Sequence, residues 1–189
     1  MSHFHSEAPA AMSWPRFSAM PVWLRRELRS DHAGEYGAVM IYRGILAISQ
    51  DAAVRHFAER HLVTECRHLA LMEDIIPRGG RTKLLRLWHL MGWLTGALPA
   101  LVGPQAVFAT IEAVERFVDH HYQQQIDQLE AQGEYSVLRQ TLVDCQADEV
   151  SHRDEAAQLA SAQRGVMLRL WCAVVGAGSA VAVVAARRV

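Results

Sequence analysis

The chain has almost no net charge, since 19 basic residues against 20 acidic ones leave −1 at neutral pH. A basic groove of the kind that tracks a phosphate backbone is missing, so nucleic acid is excluded as a partner. Cysteine is scarce. Cys66, Cys145 and Cys172 form no paired-thiol motif, and an odd, scattered set reads as reduced thiols filling space in a cytosolic compartment. Nowhere do apolar and polar residues alternate as in a half-buried strand, which leaves an almost purely helical protein. Residues 1–20 hold no apolar core behind a basic flank, carry Glu7 and have no Arg before Arg16. Neither a secretory signal nor a mitochondrial presequence fits, and the Ser, His, Ala and Pro content reads as a mobile tail. The remaining residues, 21–189, fit one domain that can bury a full core without disulfides.

Helical periodicity divides that domain into six segments. The first starts after Pro21 and runs to about Ser49, with Leu28, Tyr42 and Leu46 on one stripe. Asp51 caps a second that reaches Ile76, where Pro77, Gly79 and Gly80 end it. Gly34 and Gly37 interrupt the first at about 1 kcal/mol each relative to Ala, a cost that close packing or ligand approach would justify. Pro104 suits the first turn of a fourth helix ending near Gly133, and a fifth runs from about Tyr135 to Gln163, before Gly165. The third and sixth segments differ from the rest. No residue from Leu87 to Ile111 is charged, while Arg81, Lys83 and Arg86 stand at the start of the stretch and Pro99, Gly103 and Pro104 break it in two. Thr82 to Gly103 therefore reads as a basic, Trp-bearing amphipathic helix in a membrane interface, with burial against the bundle as the alternative. Leu170 to Ala186 is a charge-free run of 17 residues, short of the roughly 20 a spanning helix wants. Its Ala, Gly and Val suit close packing on another helix, such as the Thr82 segment, as a second membrane-facing element.

Four carboxylates and two imidazoles stand out against this background. Glu65–His68 and Glu149–His152 share a Glu-x-x-His spacing that projects both side chains from one helix face. By chance, 12 Glu and 10 His would yield about 0.6 such pairs, so the count alone decides nothing. The arrangement decides more. Each pair follows a further Glu, Glu35 before the first and Glu115 before the second, as in two similar helical hairpins. One Glu from each of two helices plus a Glu-x-x-His from each of two others is the ligand set of carboxylate-bridged di-iron and di-manganese bundles. Glu65 shares its inward face with Leu62, Leu69, Met72 and Ile76. Glu149 and His152 interrupt an apolar stripe of Leu138, Leu142, Cys145, Ala156 and Leu159. Glu112 and Asp119 lie within about 60° of Glu115 on a helical wheel and compete with it as ligands or as neighbours of the metal. Tyr122 shares the Glu115 stripe, either as a phenol beside the metals or as a core tyrosine with a satisfied hydroxyl, and His121 points about 120° from Glu115.

The expected fold is all-α, a ferritin-like four-helix bundle with two additional apolar, membrane-interfacial helices. Four buried carboxylates are tolerable only when two divalent ions neutralise them. Oxygen-rich ligation with one imidazole per metal suits iron or manganese better than zinc, and iron is preferred. Two ferrous ions so held can pass electrons to dioxygen and drive oxygen insertion into a carbon–hydrogen bond.

The residues resemble the di-iron demethoxyubiquinone hydroxylases of ubiquinone biosynthesis. Arg29-Ser30-Asp31-His32-Ala33-Gly34-Glu35-Tyr36-Gly37-Ala38, continued by Ile41-Tyr42, is similar to that family's N-terminal signature. Leu87-Trp88 with Gly92 and Gly96 resembles its hydrophobic helix. Ala113-Val114-Glu115 with His120-His121-Tyr122, and Asp148-Glu149-Val150-Ser151-His152, resemble its third and fourth ligand blocks. The resemblance runs from about Arg25 to the C-terminus. It selects Glu115 over Glu112, carries over Glu35, Glu65, His68, Glu149 and His152 as the other ligands of two iron ions, and implies a relay through His121 and Tyr122. It also implies a polyprenyl benzoquinol substrate, O2, electrons from reduced nicotinamide, and a peripheral site on the cytoplasmic side of a bacterial inner membrane. Other ubiquinone-biosynthesis proteins and a second copy of the chain are candidate partners. Two departures bear on substrate detail: Glu112 and Asp119 stand where the family pattern is apolar or small, and Arg43-Gly44-Ile45 replaces Ala-Gly-Gln.

The expected activity is hydroxylation of a demethoxy-benzoquinol ring, 5-methoxy-2-methyl-3-polyprenyl-1,4-benzoquinol to 3-demethylubiquinol. Competing readings keep the bundle but make it a ferroxidase, a peroxidase or a tRNA-modifying hydroxylase, or drop catalysis for a membrane-associated scaffold. The apolar Thr82 to Gly103 segment favours a lipid substrate, and RNA binding would need the basic face that is missing.

Overall fold

Asp51 begins a helix by accepting the free N–H groups of Ala53 and Val54 at 2.9 and 3.0 Å, which satisfies donors no intrahelical carbonyl can reach. The computed structural model describes residues 14–189, and among them every long element is a helix and none is a strand. In order these are α1 (Val22–Ile48), α2 (Ala52–Ile75), α3 (Leu85–Val102), α4 (Pro104–Gln132), α5 (Ser136–Leu159) and α6 (Val166–Arg188). Pro104 opens α4, and Gly133 ends it at φ 68°, a left-handed conformation that a residue without Cβ adopts freely.

Helices α1, α2, α4 and α5 form the bundle from two hairpins, α1 with α2 and α4 with α5. Their apolar stripes meet in two clusters. One joins Leu24, Leu28, Met72, Tyr122, Ile126, Leu138 and Leu142, and the other joins Tyr42, Ile45, Phe57, Val107, Phe108, Ile111 and Ala156. Truncating any one of these large aliphatic side chains to Ala should cost about 2–5 kcal/mol. Between the clusters, where each stripe carries Glu or His, lies the polar site.

Helix α3 packs chiefly on α1, with Gly44 and Gly96 at the closest approach. A methyl on Gly96 would overlap the Ile41 carbonyl oxygen, and one on Gly44 the Trp93 carbonyl oxygen. The two glycines singled out from sequence matter less, since a Cβ on Gly34 would meet nothing within 4 Å and one on Gly37 only Trp88 Cδ1 at 3.5 Å. Helix α6 lies on α4 and α1, not on α3 as expected, with Val175 and Ala186 as its buried residues. Among the described residues it is the one helix long and apolar enough to cross a membrane by length and composition, being 23 residues against the expected 17. Leu87, Leu90, Met91, Leu98, Leu101 and Val102 of α3 and Val166, Met167, Leu170, Val174, Val181 and Val184 of α6 are exposed.

Other expectations need correction. Pro99 does not break α3, which continues one turn beyond it to Val102; the break falls at Gly103, whose φ of 132° no helix accommodates. Trp88 and Trp93 are half-buried against α1, so aliphatic side chains form the outer face of α3. Arg81 is held by Glu73 (2.6 Å) and is no free surface cation. Helix α5 ends at Leu159, short of Gln163. Of the expected tail, residues 1–13 lie outside the described residues. Residues 14–20 are docked: Trp14 Nε1 donates to Asp74 (2.6 Å), and Trp14, Phe17 and the buried Met20 join the lower apolar cluster.

Candidate metal centre

One turn of each bundle helix contributes to the polar layer. Glu35 comes from α1, Glu65 and His68 from α2, Glu115 from α4, and Glu149 and His152 from α5, each no more than 4 % exposed. Two groups form, Glu35, Glu65, His68 and Glu149, and Glu65, Glu115, Glu149 and His152, and within each group the ligand atoms lie within 4.8 Å of one another. Glu65 and Glu149 belong to both. Two adjacent positions sharing two carboxylates, each with one imidazole and one further Glu, can hold a pair of metal ions.

The surrounding side chains orient these groups. His68 Nε2 donates to Asp148 Oδ2 (3.0 Å), itself held by Arg67 (2.6 Å), which turns Nδ1 toward Glu149 (2.9 Å) and Glu35 (3.7 Å). A carboxylate behind a ligand histidine fixes its tautomer and ring plane. His152 Nδ1 comes to 3.0 Å from Glu65 and 3.3 Å from Glu149, while its ring meets the His61 ring edge-on with centroids 4.0 Å apart. His61 in turn bonds Glu155 through Nε2 (2.9 Å). The Tyr42 hydroxyl donates to Glu115 (3.3 Å), and the Tyr122 hydroxyl donates to Glu35. His121 lies outside this layer: its Nε2 donates to Asp31 Oδ1 (3.0 Å), which also accepts from Gln125 (2.7 Å).

The family model described as ubiquinone biosynthesis protein COQ7 matches residues 22–186 of this chain, from the first helix to the last. The chain belongs to this family. Relatives within it include a 3-demethoxyubiquinol 3-hydroxylase of Rhodospirillum rubrum, 37 % identical over 133 residues that make up 68 % of this chain and 61 % of the relative. An NADPH-dependent 3-demethoxyubiquinone 3-hydroxylase, mitochondrial, of Homo sapiens is 35 % identical over 68 % of this chain and 61 % of its own. A 3-demethoxyubiquinol 3-hydroxylase of Acinetobacter baumannii is 31 % identical over 69 % and 62 %. The chain thus spans about three fifths of the length of the curated relatives it matches.

The protein's own groups leave the COQ7-type site unbalanced in the way a metal pair would correct. Glu35 Oε2, Glu65 Oε1, Glu149 Oε2 and His152 Nδ1 are all buried without a hydrogen-bond partner, although they face one another. Such orphaned lone pairs cost free energy unless a cation takes them. Burial, together with the neighbouring carboxylates, pushes Glu65 and Glu115 well above the usual carboxylate range. Burial also raises Glu35, to about 7, against the opposing His68 charge. Burial works in the same direction on Glu149, but the adjacent His152 and the hydrogen-bonded His68 outweigh it and hold that carboxyl at about 2. Without metal, then, the layer must take up protons, and two divalent ions would replace them. The residues fit the group.

The two competing acids turn elsewhere. Glu112 is clamped by Arg116 and Arg164, and Asp119 accepts from Arg153 and from Gln146 (2.8 Å). Sequence reasoning gave no role to Asp31, His61, Gln125, Asp148 or Glu155. Asp31 sits one turn before Glu35 and His61 one turn before Glu65, and that periodicity was the available signal. Their partners, 94 positions away for both Asp31–Gln125 and His61–Glu155, left no local trace.

Proposed function

We propose that the chain is a di-iron monooxygenase that hydroxylates the ring of a polyprenyl demethoxy-benzoquinol, 5-methoxy-2-methyl-3-polyprenyl-1,4-benzoquinol to 3-demethylubiquinol, as a peripheral protein on the cytoplasmic side of a bacterial inner membrane. The observation that carries this reading is the pair of buried ligand groups sharing Glu65 and Glu149. Glu35, Glu65 and His68 with Glu149 would hold one iron ion, and Glu115 and His152 with the two shared carboxylates the other. Bound there, the iron pair would activate dioxygen so that one oxygen atom enters the ring while two electrons from reduced nicotinamide and two protons convert the other to water.

The protein's own part is binding, orientation and proton control. Asp148 behind His68 keeps the imidazole nitrogen aimed inward. Tyr122, bonded to Glu35, holds a proton at the edge of the layer, and His121 with Asp31 forms a separate hydrogen-bonded pair between the same two helices, α4 and α1. The apolar clusters above and below exclude water from the site. The exposed aliphatic faces of α3 and α6 both lie over the α1 and α4 side, so a substrate dissolved in lipid meets the bundle there. An isoprenoid tail contributes about 0.8 kcal/mol per buried methylene, which supports a polyprenyl substrate over soluble aromatics.

The test is chemical conversion. Purified protein reconstituted anaerobically with iron should bind two iron ions per chain and, given O2 and reduced nicotinamide, convert demethoxyubiquinol to the hydroxylated quinol. A deletion strain should accumulate demethoxyubiquinone, and Glu65→Ala should fail to restore ubiquinone. Fewer than about one iron per chain would instead support the scaffold reading. Normal ubiquinone in a deletion strain with no second hydroxylase would refute the assignment.

A further inference from the structure

Glu112 is an acid only 6 % exposed that does not belong to the metal layer. Its carboxylate binds Nη2 of Arg116, one turn along α4, and Nη2 of Arg164, just before α6. This holds two guanidinium groups side by side. Each has five N–H donors and gives one nitrogen to Glu112, so most donors remain free. The cluster keeps a net positive charge, two cations against one anion. Beside it, between α4 and α6, is a cavity of about 410 Å³ lined by Glu112, Arg116, Phe117, His120 and Arg164, with Ala113, Cys172, Ala173 and Gly176 as its small-residue floor. The cavity exists because that floor is small; a Cβ on Gly176 would meet nothing within 4 Å. The Arg116 side chain is 70 % exposed and reachable.

We infer that this cavity is a binding site for the phosphodiester head group of an anionic phospholipid. A guanidinium pair tethered to one carboxylate suits a phosphate because each planar group presents donors to its oxygens, and the ion pairs to Glu112 lower the ordering cost of binding. The volume is that of a small-molecule site. The lipid, not free phosphate, is the occupant because the cavity, through Ala173, borders the aliphatic face of α6 on which Met167, Leu170 and Val174 are exposed, so a bilayer meeting that face brings phosphodiester groups to the cavity mouth. The inference rests on the membrane reading above. It adds that one lipid head group is held at a defined place on the flank of that aliphatic face, next to α4.

Vesicle flotation at low salt separates the two. Wild-type protein should bind phosphatidylcholine vesicles, and bind vesicles containing phosphatidylglycerol about fivefold more tightly, the gain expected from roughly one effective basic contact. Gly176→Leu fills the cavity without changing charge and adds apolar surface. It should lose the fivefold preference while binding phosphatidylcholine vesicles at least as well as wild type, and Arg116→Gln should lose the preference too. Millimolar inorganic phosphate should leave the preference intact. Retention of the preference by Gly176→Leu, or its abolition by inorganic phosphate, overturns the lipid site while leaving membrane binding standing. Failure of the wild type to bind either vesicle overturns the membrane reading itself.

Discussion

Removing metal should make the protein lose stability as pH rises, the reverse of the usual behaviour of a carboxylate in an ion pair. Glu35 has a folded-state pKa of about 7, raised by burial from 4.5. Below 4.5 the folded and unfolded states both carry the proton, and above 7 neither does. Between those values only the folded state holds it, so stability is complete below 4.5 and is lost as pH climbs through 7. The loss amounts to about 3 kcal/mol for this one group, or roughly 6–12 °C in Tm for a domain of this size. Glu65 and Glu115, raised further by burial and by one another's neighbours, extend the decline to higher pH. His68 acts in the same direction. Its pKa is raised because hydrogen bonds with Cys145 and Glu149 and the Glu35 charge outweigh burial, and its contribution also fades with rising pH. Glu149 acts oppositely, since its depressed value near 2 contributes stability above 4.5 that is lost only in stronger acid. Thermal unfolding of metal-free protein in detergent at pH 5, 6, 7 and 8 should therefore give a falling Tm. Ferrous or manganous ion added at pH 8 should restore it, because metal binding then competes with fewer protons than at pH 5. A metal-free Tm that rises from pH 5 to 8, or a metal effect larger at pH 5 than at pH 8, would refute the reasoning.

Because Glu149 belongs to both ligand groups, Glu149→Ala should bring bound metal from two ions per chain to nearly none, whereas Glu35→Ala, confined to one group, should retain about one by elemental analysis. Asp148→Asn removes the negative charge behind His68 and should weaken metal affinity by about 10–100-fold in a titration, with helix content unchanged. Gly96→Ala forces α3 away from the Ile41 carbonyl and should lower Tm, while Gly34→Ala, with open space around it, should leave Tm unchanged or raise it. Leu101→Asp with Val102→Asp, at positions 69 % and 81 % exposed, should reduce vesicle binding without unfolding the chain, and unchanged flotation would remove α3 from the membrane face.

Local periodicity made the helices and the ligand layer legible before any coordinates. Leu138, Leu142, Cys145, Glu149, His152 and Ala156 are all buried on one face of α5, as their spacing requires, whereas Leu159, expected on the same stripe, is 40 % exposed at the end of the helix. Asp51, Pro104 and Gly133 mark helix ends because a cap acts within a few residues of itself. Packing between distant segments was not legible in the same way. Gly34 and Gly37 drew notice by flanking Glu35, yet the tight crossing uses Gly44 and Gly96, and nothing near a glycine in the chain says which carbonyl will approach it. The rivalry between Glu112 and Glu115 could not be settled on a helical wheel either. In the structure Glu112 pairs with Arg164, 52 positions away and just before α6, while Glu115 stands among the buried Glu and His groups.

The remaining asymmetry of the bundle ties the chemistry to its surroundings. Helices α3 and α6 both lean on the α1 and α4 side, and their outer faces are aliphatic. The opposite side, α2 and α5, is stitched by charged pairs instead, Arg60 with Glu155 and Arg67 with Asp148, both at the surface. Exposed pairs like these add little stability, typically under about 1 kcal/mol each. Their placement has another consequence. Asp148 and Glu155 are the carboxylates that orient His68 and His61 from behind, so the charged side of the bundle sets the geometry of the ligand layer. Substitutions on the α2 and α5 surface should therefore alter metal affinity while leaving vesicle binding through the α3 and α6 faces untouched.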